Sequence, residues 1–376
     1  MNPDVVIAGA GLVGLFAARF LLLEGLSVTV YETGYPGSGA SGSSEGAVLL
    51  QTKKDARTLE LARRSMGLYD EIAPSMDPDI EYRKKGSLLF AETEKEVPCI
   101  ERHYRFLSEN GVSVRYLEGD EATKTGSCIR ESVPAALLCP GDASVNPLRL
   151  VAALCEEIGR AGGRIAKRNQ VRRITTERGR VLEVESARET VSPGVFINAC
   201  GAWAGGIAEM MGSELPVFPQ KGQILVTEPI ETLIQTVLIS ASYIFSKGNG
   251  PSGKGEASSG CVLDQTGSGS ILIGSSREEK GFSTETSHGI AERLAADALR
   301  CVPALGGVRV QRVFSGIRPA SRTGKPIIGP VKGYKNAFVA AGHGGDGVAL
   351  APVTGLMLRD MVLGLSQESL VPENGF

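Results

Sequence analysis

The first 32 residues constrain the fold of this chain more than any other stretch of its sequence. Short apolar runs of β-branched character flank a glycine motif and a helical pattern. The elements are, in order, a strand over residues 5–8, the motif Gly9-x-Gly11-x-x-Gly14, a helix over 12–24, a strand over 28–31 and the acid Glu32. This order of strand, glycine turn, helix, strand and terminal acid predicts a dinucleotide-binding βαβ unit.

Each part of this unit has a task in binding a dinucleotide. Gly9 permits the tight turn, Gly11 lets a pyrophosphate reach the helix N-terminus, and Gly14 lets the helix and strand pack closely. Glu32 would accept hydrogen bonds from an adenosine ribose, and its negative charge argues against a 2′-phosphate. Because the motif does not separate NAD from FAD, the rest of the chain must decide between them.

A loop rich in small residues, "GYPGSGASGSSEGAVL", follows Glu32. Its backbone N–H groups and hydroxyls would suit the diphosphate and ribityl chain of a flavin. A flexible linker is the alternative, and the apolar residues that follow directly weigh against it. Glu45, Lys53 and Lys54 are further polar residues near the expected flavin face. The candidate cofactor-binding residues of this region are Thr33, Ser41, Gly42, Ser43, Ser44 and Gly46.

Composition and charge narrow the class of protein. The chain has 376 residues, which predicts two domains or one domain with a large insertion. A formal net charge of −2 provides no basic field for nucleic acid. The seven cysteines show no metal spacing, so we expect reduced thiols and no metal site. The N-terminal apolar segment is too short to span a membrane and lacks a signal-peptide start, which favours a cytoplasmic protein without a transmembrane segment.

Four further motifs stand in an order typical of one known family. They are "GASGSSEG", "VFINACGAWA", "FSGIRPASRTGKPIIGP" and "AAGHGGDGVALAPVTG". Together with the glycine start, they resemble the D-amino-acid-oxidase/glycine-oxidase-like family of FAD enzymes over nearly the whole chain. "EGAVLLQTKKDARTLELARRS" and "ILIGSSREEKGF" are more similar to the flavin-bearing β subunits of heteromeric proline, hydroxyproline or opine dehydrogenases than to self-contained oxidases.

The resemblance implies an FAD-dependent amino-acid dehydrogenase. It would take a hydride from a secondary amino acid such as proline or hydroxyproline and pass the electrons to a partner subunit. A self-sufficient oxidase of glycine or sarcosine type, a 2-hydroxy-acid dehydrogenase and a flavin-bearing docking subunit without activity remain alternatives. Some relatives tether flavin covalently near "RPASRTGKP" or "PGDASVNPLRL". Here the first segment lacks cysteine and the second lacks histidine, so we expect non-covalent FAD.

The resemblance also implies an α/β fold with two domains. A Rossmann-like FAD-binding domain would be assembled from the separated segments 1–50, 141–206 and 312–376. Residues 51–140 and 207–311 would form a substrate domain, an α+β unit with an antiparallel sheet. A β-meander is predicted from Arg164. The Gly- and Ser-rich segment 246–270 is interpreted as a mobile loop over the active site, a surface for a partner subunit or a hairpin tip.

Three residues are candidates for the chemistry. The resemblance places Arg318 of "GIRP" as the anchor of the substrate carboxylate, which a guanidinium can bind through two parallel hydrogen bonds. Tyr243 would be presented by a strand of the substrate domain to the same carboxylate. His343 is interpreted as positional, beside the isoalloxazine, rather than as a base. An arginine paired structurally and an ordinary strand tyrosine are the alternatives.

The glycine-rich segment around His343 predicts the last part of the cofactor site. The main-chain N–H groups of Gly345, Asp346, Gly347 and Val348 would face the pyrimidine edge of the flavin. Donors at a helix N-terminus stabilise negative charge there. The predicted cofactor-binding residues of the remaining segments are Val171, Gly201 and Trp203.

Overall fold

The structure is a computed structural model that describes residues 2–76, 80–125, 129–130, 132–246, 260–366 and 368–371. The strands are β1 (Val5–Ala8), β2 (Val28–Tyr31), β3 (Ala47–Val48), β4 (Ser87–Phe90), β5 (Arg115–Glu118), β6 (Ala135–Cys139), β7 (Ala143–Ser144), β8 (Arg164–Ala166), β9 (Val171–Glu177), β10 (Arg180–Ser186), β11 (Thr190–Val191), β12 (Val195–Asn198), β13 (Val217–Thr227), β14 (Val237–Ser240), β15 (Val262–Gln265), β16 (Ile271–Gly274), β17 (Val310–Ser321), β18 (Ile327–Pro330) and β19 (Ala337–Ala341). The α-helices are α1 (Leu12–Leu23), α2 (Ala56–Ile72), α3 (Val97–Glu109), α4 (Gly119–Thr125), α5 (Pro147–Arg160), α6 (Ala204–Glu209), α7 (Ala241–Ser246), α8 (His288–Cys301) and α9 (Gly347–Val362).

A six-stranded sheet in the order β18-β19-β12-β1-β2-β8 carries the predicted βαβ unit. Its strand pairs are parallel except β18 with β19. All four residues of β1 are buried, as expected for a central parallel strand covered on both faces. The register places Ala8 beside Asn198 of β12 and Tyr31 of β2, so the loops that follow these three strands leave the sheet at one edge.

A second sheet has eight strands in the order β17-β13-β16-β15-β14-β4-β6-β5. It is antiparallel except for the parallel pair of β14 with β4. Helix α8 covers it, and the buried side chains of Leu294 and Ala298 share a hydrophobic core with those of Leu88 and Leu225. The fold is therefore a Rossmann-like parallel sheet assembled from discontinuous segments and joined to a largely antiparallel sheet, which confirms the predicted fold class.

The domain boundaries themselves stay a prediction. Strand β17 belongs to the eight-stranded sheet as far as Ser321, so it crosses the predicted boundary at residue 312. The start of the predicted meander was wrong, because Arg164–Ala166 forms β8 and pairs in parallel with β2 at the edge of the other sheet. The meander is β9-β10-β11.

Its β9–β10 turn has positive φ at Arg178 and Gly179, as a two-residue hairpin turn requires. No helix in the described ranges has both the length and the apolar character needed to cross a membrane. Most of the Gly- and Ser-rich segment, residues 247–259, lies outside the described residues.

Helices α1 and α9 pack against each other at Gly355. A Cβ atom built on Gly355 would lie 2.7 Å from the carbonyl carbon of Phe16 and 2.8 Å from the amide nitrogen of Ala17. These are backbone atoms, which cannot move aside as the end of a side chain can. The absence of a side chain at Gly355 therefore sets the distance between the two helices.

We predict that Gly355→Ala lowers the free energy of unfolding by about 1–3 kcal/mol, because the added methyl group forces α9 away from α1. Gly67→Ala is the matched control: Gly67 also lies inside a helix, α2, and a Cβ built there meets nothing within 4 Å. This control should raise stability by up to about 1 kcal/mol through helix propensity. Urea denaturation followed by circular dichroism measures both changes. Equal effects of the two substitutions would contradict the packing argument.

Candidate active site

A cavity of about 710 Å³ opens where the loops after β1, β2 and β12 meet β17 and the N-terminus of α9. Its volume lies within the range of ligand and cofactor pockets, about 300–1,000 Å³. The predicted site residues that line it are Gly9, Gly11, Glu32, Thr33, Ser41, Ser43, Ser44, Val171, Gly201, Trp203, Tyr243, Arg318, His343, Gly345, Gly347 and Val348. The predicted site residues that do not line it are Gly14, Gly42, Gly46 and Asp346.

The β1–α1 turn forms one end of the cavity. Gly9 has φ +104°, and a Cβ atom built on it would lie 2.5 Å from the carbonyl oxygen of Ala199. A Cβ on Gly14 would lie 2.1 Å from the carbonyl oxygen of Gly9, so α1 packs on the turn as closely as the motif predicts. The amide of Leu12 donates to Ser41 Oγ at 3.0 Å. The start of α1 thus faces the cavity with a hydroxyl beside it.

Glu32 is held by the backbone of both neighbouring loops. Its Oε2 accepts a hydrogen bond from the amide of Ala10 at 2.9 Å, and its Oε1 accepts one from the amide of Gly34 at 2.8 Å. These contacts fix the carboxylate at the end of β2, at the cavity wall. A carboxylate oxygen accepts more than one hydrogen bond, so the group keeps capacity for a ligand hydroxyl.

Glycines hold the small-residue loop in place from behind. A Cβ on Gly42 would lie 2.5 Å from the carbonyl oxygen of Gly37, and one on Gly46 would lie 1.9 Å from that of Val145. On the other side, a Cβ on Gly316 of β17 would lie 2.5 Å from Ser43 Cβ. Gly42 and Gly46 therefore support the loop that supplies Ser41, Ser43 and Ser44, rather than lining the cavity themselves.

Arg318 on β17 has a fixed orientation at the opposite end. Its Nη1 donates to the carbonyl oxygen of Ser276 at 2.9 Å, and its Nη2 donates to Ser275 Oγ at 2.6 Å. Both acceptors are neutral, so these contacts orient the guanidinium without neutralising its charge. A Cβ on Gly222 of β13 would lie 2.0 Å from Nη1, which shows that the guanidinium rests on the bare backbone of that residue.

Tyr243 lines the same end of the cavity and is buried. It lies on α7, directly after β14, and not on a strand as predicted. The apolar run "VLISASYIF" continues through both elements, so its pattern could not mark where the strand ends. The guanidinium of Arg277 lies 4.8 Å from the centre of the Tyr243 ring. Burial lowers the pKa of Arg277, and the nearby charge of Arg318 lowers it further.

His343 is a buried, neutral side chain in the cavity wall. Burial lowers the pKa of His343 to about 4, against a smaller opposing effect of Asp346. Its Nε2 lies 3.0 Å from Thr354 Oγ1, and that hydroxyl donates its own hydrogen to the carbonyl oxygen of Leu350 at 2.8 Å. Nε2 must therefore carry the proton and donate it to Thr354. This geometry suits a positional role better than general-base catalysis through Nε2.

Asp346 faces away from the large cavity. Its Oδ1 lies 2.7 Å from Nζ of Lys53, whose side chain is almost completely buried. The amide of Asp346 donates to the carbonyl oxygen of His343 at 2.9 Å, so Gly345, Gly347 and Val348 remain the main-chain candidates toward a ligand. Lys54 Nζ donates to the carbonyl oxygen of Ile244 at 2.5 Å and so ties its loop to α7.

Comparison with known proteins agrees with this geometry. Residues 4–361 match the family model described as "DAO: FAD dependent oxidoreductase". The chain belongs to this family. It is thus an FAD-dependent oxidoreductase.

Relatives of this DAO family member span almost its whole length. Glycine oxidase from Geobacillus kaustophilus is 29% identical over 367 residues, which cover 96% of this chain and 92% of the relative. Hydrogen cyanide synthase subunit HcnC from Pseudomonas aeruginosa is 27% identical over 401 residues, with coverage of 96% and 92%. The crystal structure of L-proline dehydrogenase from P. horikoshii has the same fold, with a TM-score of 0.86, 23% identity and coverage of 96% of this chain and 94% of the other.

The residues of this DAO family cavity fit FAD. The glycine turn and the start of α1 suit a pyrophosphate, because helix N-termini favour anions. The anchored carboxylate of Glu32 lies at the ribose end, and the N-terminus of α9 lies at the other. Close backbone packing at Gly9 and Gly316 lets the β1–α1 turn and the small-residue loop form the walls of this cavity.

The sequence did not indicate several parts of this cavity. Arg277 lies in the motif "ILIGSSREEKGF", but nothing in the sequence placed it over Tyr243. The unpredicted lining residues include Gln170, Ala202, Ile207, Met210, Gly222 and Gly316. Ala202 and Gly316 lie within motifs that carry the family resemblance, and Gly222 reaches the cavity through the pairing of β13 with β17.

We predict that the buried, neutral His343 makes stability depend on pH. Its folded pKa of about 4 lies below the unfolded value of about 6.5, so its contribution is present above the unfolded pKa and is lost as the pH falls. From about pH 7 to about pH 5, the free energy of unfolding should fall by about 2 kcal/mol more in the wild type than in His343→Gln. Urea denaturation at the two pH values measures this difference.

His288→Gln is the control for this measurement, because His288 is an exposed histidine on α8. The free energy of unfolding of His288→Gln should change with pH as that of the wild type does. If His343→Gln and the wild type lose the same stability over this pH range, His343 is not held neutral by its surroundings.

Proposed function

We propose that the protein is a self-sufficient amine oxidase of glycine or sarcosine type. It would oxidise the C–N bond of a small amino acid and use dioxygen as the final electron acceptor. The proposal rests on the guanidinium of Arg318, which Ser275 and Ser276 orient in the wall of an FAD-sized cavity. Similarity to glycine oxidases over nearly the whole chain supports this choice over the dehydrogenase that the sequence motifs first favoured.

Arg318 would bind the substrate carboxylate through two parallel hydrogen bonds. Its contacts with Ser275 and Ser276 fix the guanidinium plane before substrate arrives, which reduces the entropy lost on binding. Tyr243 would pack its ring against the substrate and add its hydroxyl to the same carboxylate. Holding the carboxylate in this way fixes the direction of the substrate Cα–H bond.

His343 would act as a neutral wall of the site. Its Nε2–H is committed to Thr354, and its low pKa keeps positive charge off the ring at neutral pH. A neutral ring does not compete with Arg318 for the substrate carboxylate. The side chain would therefore position the reacting groups and help to exclude water from them.

FAD would bind non-covalently along the length of the cavity. When bound, it supplies the acceptor for the hydride that leaves the substrate carbon. The proposed contacts are grouped by the part of the cofactor they serve: Gly9, Gly11, Glu32, Thr33 and Val171 toward the adenosine diphosphate, Ser41, Ser43, Ser44, Gly201 and Trp203 along the middle, and Gly345, Gly347 and Val348 toward the pyrimidine edge. Gly14, Gly42 and Gly46 would support these contacts from behind, and Asp346 would serve as the partner of Lys53.

A dehydrogenase that passes electrons to a partner subunit is the second candidate. Trp203 lines the cavity and is half exposed, and its ring stacks on that of the equally exposed Phe282 with centroids 5.2 Å apart. An exposed aromatic pair at the cavity rim is a type of surface that partners cover. In this candidate, proline or hydroxyproline is the substrate.

Peroxide production by the purified chain separates the two candidates. FAD-loaded protein is given glycine, sarcosine, proline, hydroxyproline or lactate, first without oxygen and then in air. The flavin absorbance reports reduction, and a peroxidase assay reports hydrogen peroxide. Fast reduction by glycine or sarcosine with rapid peroxide formation supports the oxidase. Reduction by proline with little peroxide favours the dehydrogenase, and reduction by lactate alone would contradict both.

We predict that Arg318→Ala weakens substrate binding about 100-fold, because truncating one partner of a buried charge pair costs about 2–5 kcal/mol. The measured quantity is the substrate concentration that gives half the maximal rate of flavin reduction without oxygen. Arg322→Ala is the control, since Arg322 lies exposed in the turn after β17 and should leave this value unchanged. Unaltered substrate dependence in an FAD-loaded Arg318→Ala variant would remove Arg318 as the carboxylate anchor.

A further inference from the structure

Glu45 brings a carboxylate to the end of the cavity where Arg318 lies. It is at the end of the small-residue loop, just before β3. It lines the large cavity together with Tyr243 and Arg318, and also a small side cavity whose wall includes Lys53 and Asp346. The sequence identified Glu45 as a polar residue near the flavin face but did not fix its orientation.

Glu45 and Arg318 lie against consecutive residues of one chain segment. A Cβ atom built on Gly274, the last residue of β16, would lie 2.0 Å from Oε1 of Glu45. The next residue, Ser275, accepts the hydrogen bond from Nη2 of Arg318 at 2.6 Å. A negative and a positive group thus lie along one short segment and line the same cavity.

Oε1 of Glu45 is buried and has no hydrogen-bond partner among the described residues. Buried carboxylate oxygens are normally hydrogen-bonded, because removing a charge from water is costly without a partner. Three cations lie near Glu45. Lys53 pairs with Asp346, Arg318 bonds Ser275 and Ser276, and Arg277, whose charge interacts with that of Glu45, lies over the ring of Tyr243. Glu45 lines the cavity, so a donor on a bound molecule would lie within reach of its carboxylate group.

We propose that Glu45 binds the amino group of the substrate and makes the site selective for α-amino acids over 2-hydroxy acids. This inference rests on the proposed function. An α-amino acid carries its carboxylate and its ammonium group on one carbon, which matches the adjacent positions of Arg318 and Glu45. A secondary amino acid keeps two N–H donors and the same charge, so it fits equally.

A 2-hydroxy acid has the same carboxylate but a neutral hydroxyl in place of the ammonium group. It could donate one hydrogen bond to Glu45 but would leave the carboxylate charge without a countercharge. Hydrogen bonds to charged groups contribute more than those between neutral groups. The carboxylate of Glu45 therefore discriminates between the two substrate classes at the one atom where they differ.

Three unreactive ligands of nearly equal shape test this inference. They are 2-aminoisobutyrate, 2-hydroxyisobutyrate and pivalate, which carry an ammonium, a hydroxyl and a methyl group on the same dimethylated carbon. None has a hydrogen on that carbon, so none can be oxidised there. Dissociation constants are read from the change that each ligand causes in the visible spectrum of the FAD-loaded protein, which requires no turnover.

The wild type should bind 2-aminoisobutyrate at least about 10-fold more tightly than the other two ligands. Glu45→Gln keeps the shape and removes the charge, so it should weaken 2-aminoisobutyrate about 10- to 100-fold and change the others by less than about 3-fold. Glu45→Asp keeps the charge and should retain part of the preference. Glu228→Gln is the matched control, because Glu228 pairs with Arg309 at the protein surface and should leave all three constants unchanged.

If none of the three ligands fits, the same comparison is made with glycine as substrate and acetate as competitive inhibitor. Glu45→Gln should then lower kcat/KM for glycine at least about 10-fold and leave the inhibition constant of acetate unchanged. Equal losses for all ligands, or no loss for the amine, would overturn the role of Glu45. A protein that neither binds these carboxylates nor oxidises any amino acid would instead contradict the proposed function.

Discussion

The close approach of backbone at Gly9 is the constraint on which the cavity depends. The amide of Gly9 donates to the carbonyl oxygen of Tyr31 at 2.8 Å, and the amide of Ala199 donates to that of Ala8 at 2.8 Å. The turn is therefore bonded into the sheet on both sides. Any side chain at Gly9 would meet the backbone of Ala199, and any side chain at Gly14 would meet Gly9. Only this absence of side chains leaves the start of α1 open to a cofactor.

Two further glycines let the proposed carboxylate anchor lie close to the small-residue loop of the cofactor site. In the β13–β17 ribbon, Gly222 pairs directly with Gly316. Gly316 leaves the space that Ser43 of the small-residue loop occupies, and Gly222 leaves the space for the guanidinium of Arg318. The loop that follows the nucleotide-binding unit and the proposed carboxylate anchor thus meet at one cross-strand pair. The eight-stranded sheet contributes to the site mainly through this ribbon.

The sequence predicted the parts of the site that depend on local spacing. The βαβ unit from Val5 to Glu32 is contiguous in sequence, so its pattern of apolar residues and glycines was sufficient to give its strands within the observed bounds and α1 to within one residue. Non-local contacts were not predictable in this way. The helix that carries Tyr243, the edge position of β8 and the contact of Glu45 with Gly274 each depend on segments that are far apart in sequence. No residue near Glu45 in sequence indicates that β16 lies against it.

The charges around the substrate end follow from how the backbone holds them. Lys53 is neutralised locally by Asp346, and burial keeps His343 uncharged, so these two side chains add little net charge to the cavity. The partners of Arg318 are a carbonyl and a hydroxyl, which do not form an ion pair with it. Glu45 lies against Gly274, and the buried guanidinium of Arg277 is a nearby cation. Had either residue been paired with an opposite charge of the chain, its attraction for a ligand would largely be cancelled. A zwitterionic substrate would supply an opposite charge to both groups at once. The two oriented charges in the wall therefore favour a molecule that carries both a carboxylate and an ammonium group.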